Sequence, residues 1–251
     1  MKTLSSVRFL LKSLFGERAT SVFAVMGVLF LVFAFSLSDV NIAVQYKLLE
    51  DSLIAAQSFI LFLSAIFYAF LLMEKERKGG IFVFILSSGS SRGEYMGALF
   101  LSIFALLSSV FALFLVIDVA FLSVFADGMN TAFLSRIVMS ALSSVFLGFL
   151  TLTLARFVSN TNAVIYAIFL FFIGSGADEL MLYAASEKGA ALSAVANTIY
   201  YVFPNFSFFD MASIQTAFDK QIFAILYFVL YSLILYSLAH FKLKKEVLRV
   251  G

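Results

Sequence analysis

The chain of 251 residues contains no cysteine, one proline and one histidine. Without cysteine it has no disulfide, no thiolate metal site and no cysteine nucleophile. The single histidine, His240, cannot build a histidine metal site or a relay, so we expect no cofactor and no metal. No glycine is followed by lysine, which excludes a phosphate-binding P-loop. We therefore expect a protein that is not itself an enzyme.

Charge is also scarce. Charged residues make up 13% of the chain, hydrophobic residues 63%, and the mean hydropathy is +1.05. An ordinary soluble domain is roughly half apolar and about a quarter charged. This composition excludes a soluble enzyme, a disordered chain and a nucleic-acid-binding domain, and it predicts a membrane protein surrounded by lipid. The net charge of +2 is too small to indicate an acidic partner.

Six apolar runs approach the length of about 20 residues that a helix needs to cross a bilayer. Their continuous apolarity, without alternation, favours helices over barrel strands. We predict one all-α integral membrane domain, 1–251, with spans at 19–37, 53–73, 95–125, 131–155, 163–176 and 221–239. The fifth span is short unless it continues past Asp178 and Glu179.

The distribution of lysine and arginine predicts the orientation. Thirteen of the 17 basic residues fall on the side that holds both termini, and four fall on the other side. Basic residues accumulate on the cytoplasmic side, so both termini are predicted to be cytoplasmic. The long connection 177–220, rich in aromatic residues, then lies outside and is predicted to hold one or two short helices at or dipping into the membrane interface.

The segment 1–17 has apolar residues at helical spacing, including Leu4, Val7, Leu11 and Leu14. This pattern predicts an amphipathic helix in the cytoplasmic membrane interface, and we expect it not to be a cleaved signal. The alternative is a plain positive segment that only sets the topology.

Two features inside the spans are candidates for function. Asp118 lies in the outer half of the third span, and an acid at that depth is a functional candidate by default. Asp118 and Arg136 form a possible intramembrane polar site, or they simply pair for structural reasons. The small residues Ser140, Ser144 and Gly148 follow one helix face, for internal packing or for a dimer contact.

The most informative segment follows the second span. Alternating charges and two glycines precede an apolar stretch, 81–86, and a Ser/Gly turn, 87–91, that leads into the third span. The turn predicts a helix end followed by a helix start at Ser91, and so a short helix at about 80–86 along the cytoplasmic surface. Glu76 and Glu94 flank it and are expected to pair with Arg77, Lys78 or Arg92. The alternative is a simple connector.

This loop resembles that of the type-2 ABC transporter permease family. The matching residues, in order and spacing, are Glu76, Gly80, Leu86, Ser87, Ser88, Ser91, Arg92 and Glu94. Gly89 stands where that family usually has proline, Gly97 comes one residue early, and Ala98 follows it instead of lysine. Six spans, the amphipathic entry helix and the basic tail are also similar to the family.

The resemblance implies a permease subunit of an ABC exporter in the bacterial plasma (inner) membrane. Its partners would be a separate ABC ATPase subunit and a second permease copy, in a homodimer or a heterodimer. The short helix would be a coupling helix that docks in the ATPase through Ile81, Phe82, Phe84, Ile85 and Leu86. Charge reversal at Glu76 is expected to reduce ATPase binding and transport less than aspartate at Phe84 or Leu86 does.

Two other classes of function remain open from the residues themselves. One is a stand-alone secondary carrier or channel, which needs more polar groups within the membrane than the sequence displays. The other is an intramembrane lipid-modifying enzyme, for which only Asp118, Arg136, Asp178 and Glu179 could assemble.

Overall fold

The structure, a computed structural model, describes residues 2–15, 45–79, 89–125, 131–187, 190–210 and 218–248, together with Val25, Leu29 and Ile85. Within these ranges the chain is helical and contains no strand. The helices are α1 (Lys2–Phe15), α2 (Gln45–Gly79), α3 (Arg92–Phe125), α4 (Thr131–Leu154), α5 (Asn160–Ser175), α6 (Ala177–Glu187), α7 (Ala190–Val202) and α8 (Phe218–Leu248). A 3-10 turn, Ser207–Phe209, precedes α8.

Four of these helices, α2, α3, α4 and α8, contain segments long and apolar enough to cross a membrane. They contain the predicted spans 53–73, 95–125 and 221–239 and nearly all of 131–155. Helices α5 and α6 bend by 47° at their junction and make a fifth crossing only if they count as one span. The part of the chain that the structure describes is therefore all-helical and consistent with a multi-pass membrane protein. The first predicted span, 19–37, lies outside the described residues except for Val25 and Leu29, so the six-span layout stays a prediction.

The N-terminal segment forms the expected amphipathic helix. Its buried face consists of Val7, Leu10 and Leu14, whereas Leu4 is 73% exposed. The helix packs mainly against α3. The apolar face is thus turned toward the helix bundle. It differs by one position from the face predicted from sequence: Leu10 is buried, whereas Leu11 is only half-buried.

Helices α2 and α4 form the most extensive helix–helix contact. The Ser140 hydroxyl of α4 donates to the Ser58 hydroxyl of α2 over 2.6 Å. Farther along α4, a Cβ added at Gly148 would lie 2.7 Å from a methyl group of Ile103 on α3. The small-residue face of α4 therefore lets two neighbouring helices approach closely within the bundle. Of the two interpretations that the sequence leaves open for this face, the structure supports internal packing.

The connection between α5 and α8 contains two short helices, α6 and α7, as predicted for 177–220. After α7 the chain turns back into the bundle, where Pro204, Asn205 and Phe206 are buried. The Phe206 amide donates to the carbonyl of Gly174 on α5 over 3.2 Å. A Cβ at Gly174 would overlap the carbonyl oxygen of Pro204, so the close approach requires glycine there. We refer to residues 203–209 as the inserted segment.

The inserted segment is held by polar and aromatic contacts. The Asn205 side-chain oxygen accepts from the amide and the hydroxyl of Ser207, at 3.0 and 2.5 Å. The backbone amide of Asn205 donates to the Tyr227 hydroxyl of α8 over 2.8 Å. The Phe206 ring lies 5.0 Å from those of Phe146 and Phe171. The segment is therefore part of the packed interior.

Candidate functional site

The connection between α2 and α3 carries most of the predicted site residues. The structure describes Glu76, Ile85, Ser91, Arg92 and Glu94. Gly80, Ile81, Phe82, Phe84, Leu86 and Ser87 lie outside the described residues, so the predicted coupling helix stays a prediction. Ile85 is helical and only 3% exposed, and it belongs to the main hydrophobic core. At this position the connection is thus turned toward the bundle.

A capping box starts α3. The Ser91 amide donates to a Glu94 carboxylate oxygen over 2.6 Å, and the Glu94 amide donates to the Ser91 hydroxyl over 3.2 Å. These reciprocal bonds satisfy two amides that a helix start otherwise leaves without partners. The helix start predicted at Ser91 is confirmed. Glu94 serves as a cap, and its predicted pairing with a neighbouring basic residue stays a prediction.

Gly89 has a backbone φ of 80° in the turn that precedes this cap. Proline is locked near a φ of about −65° and cannot adopt that conformation. Glycine reaches positive φ without steric penalty. The departure from the resembling family at this position therefore has a structural reason, because the turn takes a path that proline excludes.

Glu76 forms a buried ion pair with Arg156 in the turn after α4. The two terminal guanidinium nitrogens of Arg156 each donate to one carboxylate oxygen of Glu76, over 2.6 Å. The side chains are 9% and 11% exposed for Arg156 and Glu76. Burial alone would lower the pKa of Arg156, but the hydrogen bonds and the negative charge of Glu76 raise it by more. The pKa of Arg156 therefore lies above its ordinary value, and the guanidinium stays charged.

This pair corrects the expectation that Glu76 pairs with Arg77, Lys78 or Arg92. Lys78 instead pairs with Glu74 one turn earlier, and Arg77 donates to the carbonyl of Val158 over 3.4 Å. Tyr95 of α3 is fully buried and interacts electrostatically with both members of the Glu76–Arg156 pair. Together, Glu76, Arg156 and Tyr95 join α2, α3 and the turn after α4. We call this part of the bundle the paired end.

Gly89 to Gly93 reads Gly-Ser-Ser-Arg-Gly, which has the Gly-x-Ser-x-Gly spacing of a nucleophile elbow, a match that sequence reasoning missed. A nucleophile elbow follows a strand, and the described residues contain none. His240 lies near Gly93, but among the described residues no acid accepts a hydrogen bond from its Nδ1 atom. Ser91 is used as a helix cap. The arrangement is not a catalytic triad.

At the other end of α4, the structure does not pair Asp118 with Arg136. Arg136 instead donates to Asp51 of α2 over 2.6 Å. Asp118 is 1% exposed, and its Oδ2 atom has no hydrogen-bond partner within the described ranges. The amide of Gln57 and the hydroxyl of Ser64, both buried in α2, also lack partners there. Sequence reasoning missed Gln57, although it is the one amide side chain in the run 53–73.

A cavity of about 240 Å³ with both polar and aromatic lining residues opens at this end, between α2, α4, α5 and the inserted segment. Its hydroxyl groups come from Ser58, Ser140, Ser143, Ser144, Ser175 and Ser207. Arg136 and Asp210 also line it. We call this region the cavity end.

The described residues bring no group of three or more His, Cys, Asp or Glu side chains close enough to hold a metal ion. Neither a family model nor a curated protein matches the chain. The resemblance of the α2–α3 connection therefore depends on the residues of that connection and on the helical, membrane-like architecture around it.

Proposed function

We propose that the chain is the permease subunit of an ABC transporter in a bacterial plasma membrane, without catalytic activity of its own. The observation that carries this proposal is how the α2–α3 connection is attached to the bundle. Glu76 fixes its start through a buried bidentate pair, and the Ser91–Glu94 capping box fixes its end. A connection attached in this way can pass a displacement on to the helices.

The mechanism follows from the absence of a P-loop. Energy has to come from a separate ATPase, and the nucleotide state can reach the permease only through contacts that differ between two states. A partner that moves the connection 80–90 would move the ends of α2 and α3 together. Because Glu76 is bound to Arg156, the same movement would reach α4. Alternating access or lateral extrusion of a substrate would then follow closure of the ATPase.

A second permease copy is part of the proposal. Helix α8 is long and apolar, but only 17% of its spanning window is buried within the chain. Exposed residues such as Phe223, Leu230 and Leu233 cover its outward face. Lipid or a second copy would cover that face in a membrane. Measuring the mass of the purified complex tests the dimer, and one permease copy per two ATPase copies would contradict it.

The experiment that tests the coupling role is co-purification of the ATPase with substituted permeases. Phe84→Asp and Leu86→Asp should each leave the chain inserted but strongly reduce the bound ATPase, because a fully buried large apolar side chain contributes about 1.5–3 kcal/mol. Leu182→Asp on α6 is the matched control, since Leu182 is 74% exposed and far along the chain from the connection. Unchanged ATPase binding in both connection variants would show that this segment is a simple linker and does not dock in the ATPase.

Topology is tested separately with reporter fusions. Reporters after Lys12, Lys78 and Lys245 should report the cytoplasm, and one at Lys188 the outside. A cytoplasmic signal at Lys188 would contradict the six-span layout.

A stand-alone carrier is the second candidate, and a specific observation favours it. The sequence displays few polar groups in the spans, but the structure buries Gln57, Ser64 and Asp118 in α2 and α3 without complete hydrogen bonding. Buried polar groups of this kind often mark ion or proton pathways. Solute uptake by the purified chain alone in liposomes, without ATP and abolished by Asp118→Asn, would support this candidate over the first.

A further inference from the structure

The cavity end has the properties of a binding site for a small ligand. Its volume of about 240 Å³ lies below the roughly 300–1,000 Å³ of sites for drug-sized molecules. Arg136 lies at one end of its α4 wall and Ser144 lies eight residues deeper, about 12 Å along the helix. A compact molecule, or the head of a larger one, therefore fits the space.

The hydroxyl groups are arranged so that several are available to a ligand. The hydroxyls of Ser140, Ser144 and Ser207 donate their protons to protein atoms and keep acceptor capacity. Ser143 and Ser175 make no hydrogen bond with any described residue, so each can both donate and accept. The cavity thus offers acceptors and donors side by side.

The charges at the cavity do not favour an anion. Arg136 is the one basic residue in the lining, and Asp51 already pairs with it over 2.6 Å. Asp210 adds a carboxylate to the lining. Only one guanidinium nitrogen is used in the Asp51 bond, so Arg136 keeps N–H groups for neutral oxygen atoms. A neutral ligand with many oxygen atoms fits these groups better than a phosphate does.

The remaining wall is aromatic. The Phe62 and Phe171 rings lie 4.8 Å apart, and Phe206 lies 5.0 Å from Phe171. All three line the cavity together with Phe209. The electron-rich faces of such rings attract the polarised C–H groups of sugars and polyols.

We propose that the cavity end binds a neutral, hydroxyl-rich group, a sugar or polyol, through the serine hydroxyls and Arg136 on one side and the phenylalanine rings on the other. The same chemistry belongs to a free sugar and to the head of a glycolipid. Binding to the purified chain requires no ATPase, so this proposal stands or falls independently of the permease function.

The test measures saturable binding to the purified full chain in a detergent without a sugar headgroup. The probes are methyl glucoside as the free sugar, a glucosyl diacylglycerol as the glycolipid, and phosphatidic acid as an anionic lipid whose headgroup carries no sugar or polyol. The double variant Ser143→Ala/Ser175→Ala removes two hydroxyls that have no described protein partner, so the fold should persist. It should weaken binding about tenfold, as expected for two lost hydrogen bonds.

Ser237→Ala is the matched control, because Ser237 is exposed on α8 away from the cavity lining. It should leave binding unchanged. Binding of methyl glucoside identifies a free sugar or polyol site, and binding of the glycolipid alone identifies a headgroup site. Absence of saturable binding to either sugar probe, equal binding of phosphatidic acid, or unchanged affinity in the folded double variant would each overturn the proposal.

Discussion

The two ends of α4 carry the same kind of ion pair in different surroundings. At the paired end, Arg156 and Glu76 are 9% and 11% exposed and share two hydrogen bonds. At the cavity end, Arg136 and Asp51 are 28% and 42% exposed and share one. The two arginines are 20 residues apart, which corresponds to about 30 Å along a helix. One end of the bundle is therefore fixed by buried charge, and the other carries a partly exposed pair beside an open cavity.

This difference separates structural from adaptable chemistry. A buried pair is strongly destabilised by the loss of one partner, because the other charge remains without compensation. An exposed pair contributes little, since water replaces the lost partner. The paired end is therefore suited to transmit force between helices, and the cavity end is suited to exchange partners, including a ligand.

Glu76→Ala should have the largest effect on stability. It leaves Arg156 charged and buried, so the free energy of unfolding should fall by about 3–5 kcal/mol. Glu74→Ala, two residues earlier, is the control, because its partner Lys78 is 81% exposed. Denaturant unfolding in micelles measures both. The sequence-based prediction for Glu76 concerns ATPase coupling, where charge reversal should do less than aspartate at Phe84 or Leu86, and it stays a prediction. Equal losses of stability in the Glu76 and Glu74 variants would contradict the present one.

Gly174→Ala should have the next largest effect and tests the wall of the cavity end. The added methyl group overlaps the Pro204 carbonyl, so the inserted segment must shift, at about 1–3 kcal/mol. Gly97→Ala is the matched control, since nothing lies within 4 Å of its added Cβ. Thermal unfolding of the two proteins should differ clearly. A wild-type melting temperature for Gly174→Ala would mean that the inserted segment is not packed against α5.

Ser91→Ala tests the cap beside the paired end. Loss of the hydroxyl that accepts from the Glu94 amide should lower the free energy of unfolding by about 1 kcal/mol. Ser91→Asn should retain most of the stability, because asparagine caps helices about as well as serine. Chemical unfolding distinguishes the two variants. If alanine and asparagine had the same effect, the capping box would contribute nothing.

Arg136→Ala should have the smallest effect, about 0–1 kcal/mol, since its pair with Asp51 is partly exposed. The same unfolding assay applies, repeated at high salt, where any remaining contribution should shrink. A loss as large as that of Glu76→Ala would show that the cavity end is desolvated, and the contrast between the two ends would disappear.

The features that follow from local sequence were predictable. Hydropathy located the helices that contain 53–73, 95–125 and 221–239, because a long apolar run has few other options in a membrane. The helix start at Ser91 follows from a serine followed by a glutamate three residues later. The apolar face of α1 was predicted to within one position, because its apolar residues repeat at helical spacing.

The tertiary partners were not predictable in the same way. Glu76 and Arg156 are 80 residues apart, and Arg136 and Asp51 are 85 apart. Sequence offers Glu76 several nearby cations, but the packing of α4 against α2 decides which one it meets. The inserted segment was likewise predicted only as an aromatic region. Its entry into the bundle depends on the absence of a side chain at Gly174.

The separation of 80 residues between Glu76 and Arg156 has a consequence for synthesis of the chain. At about 5–20 residues per second, a ribosome adds the arginine about 4–16 s after the glutamate. During that interval the end of α2 carries a carboxylate whose final partner does not yet exist. That end must stay in water or against another protein until α4 has been inserted. A nascent chain that stops before Arg156 cannot form the ion pair with Glu76. Such a truncated chain keeps an unpaired carboxylate at the end of α2, and we expect membrane quality control to recognise it.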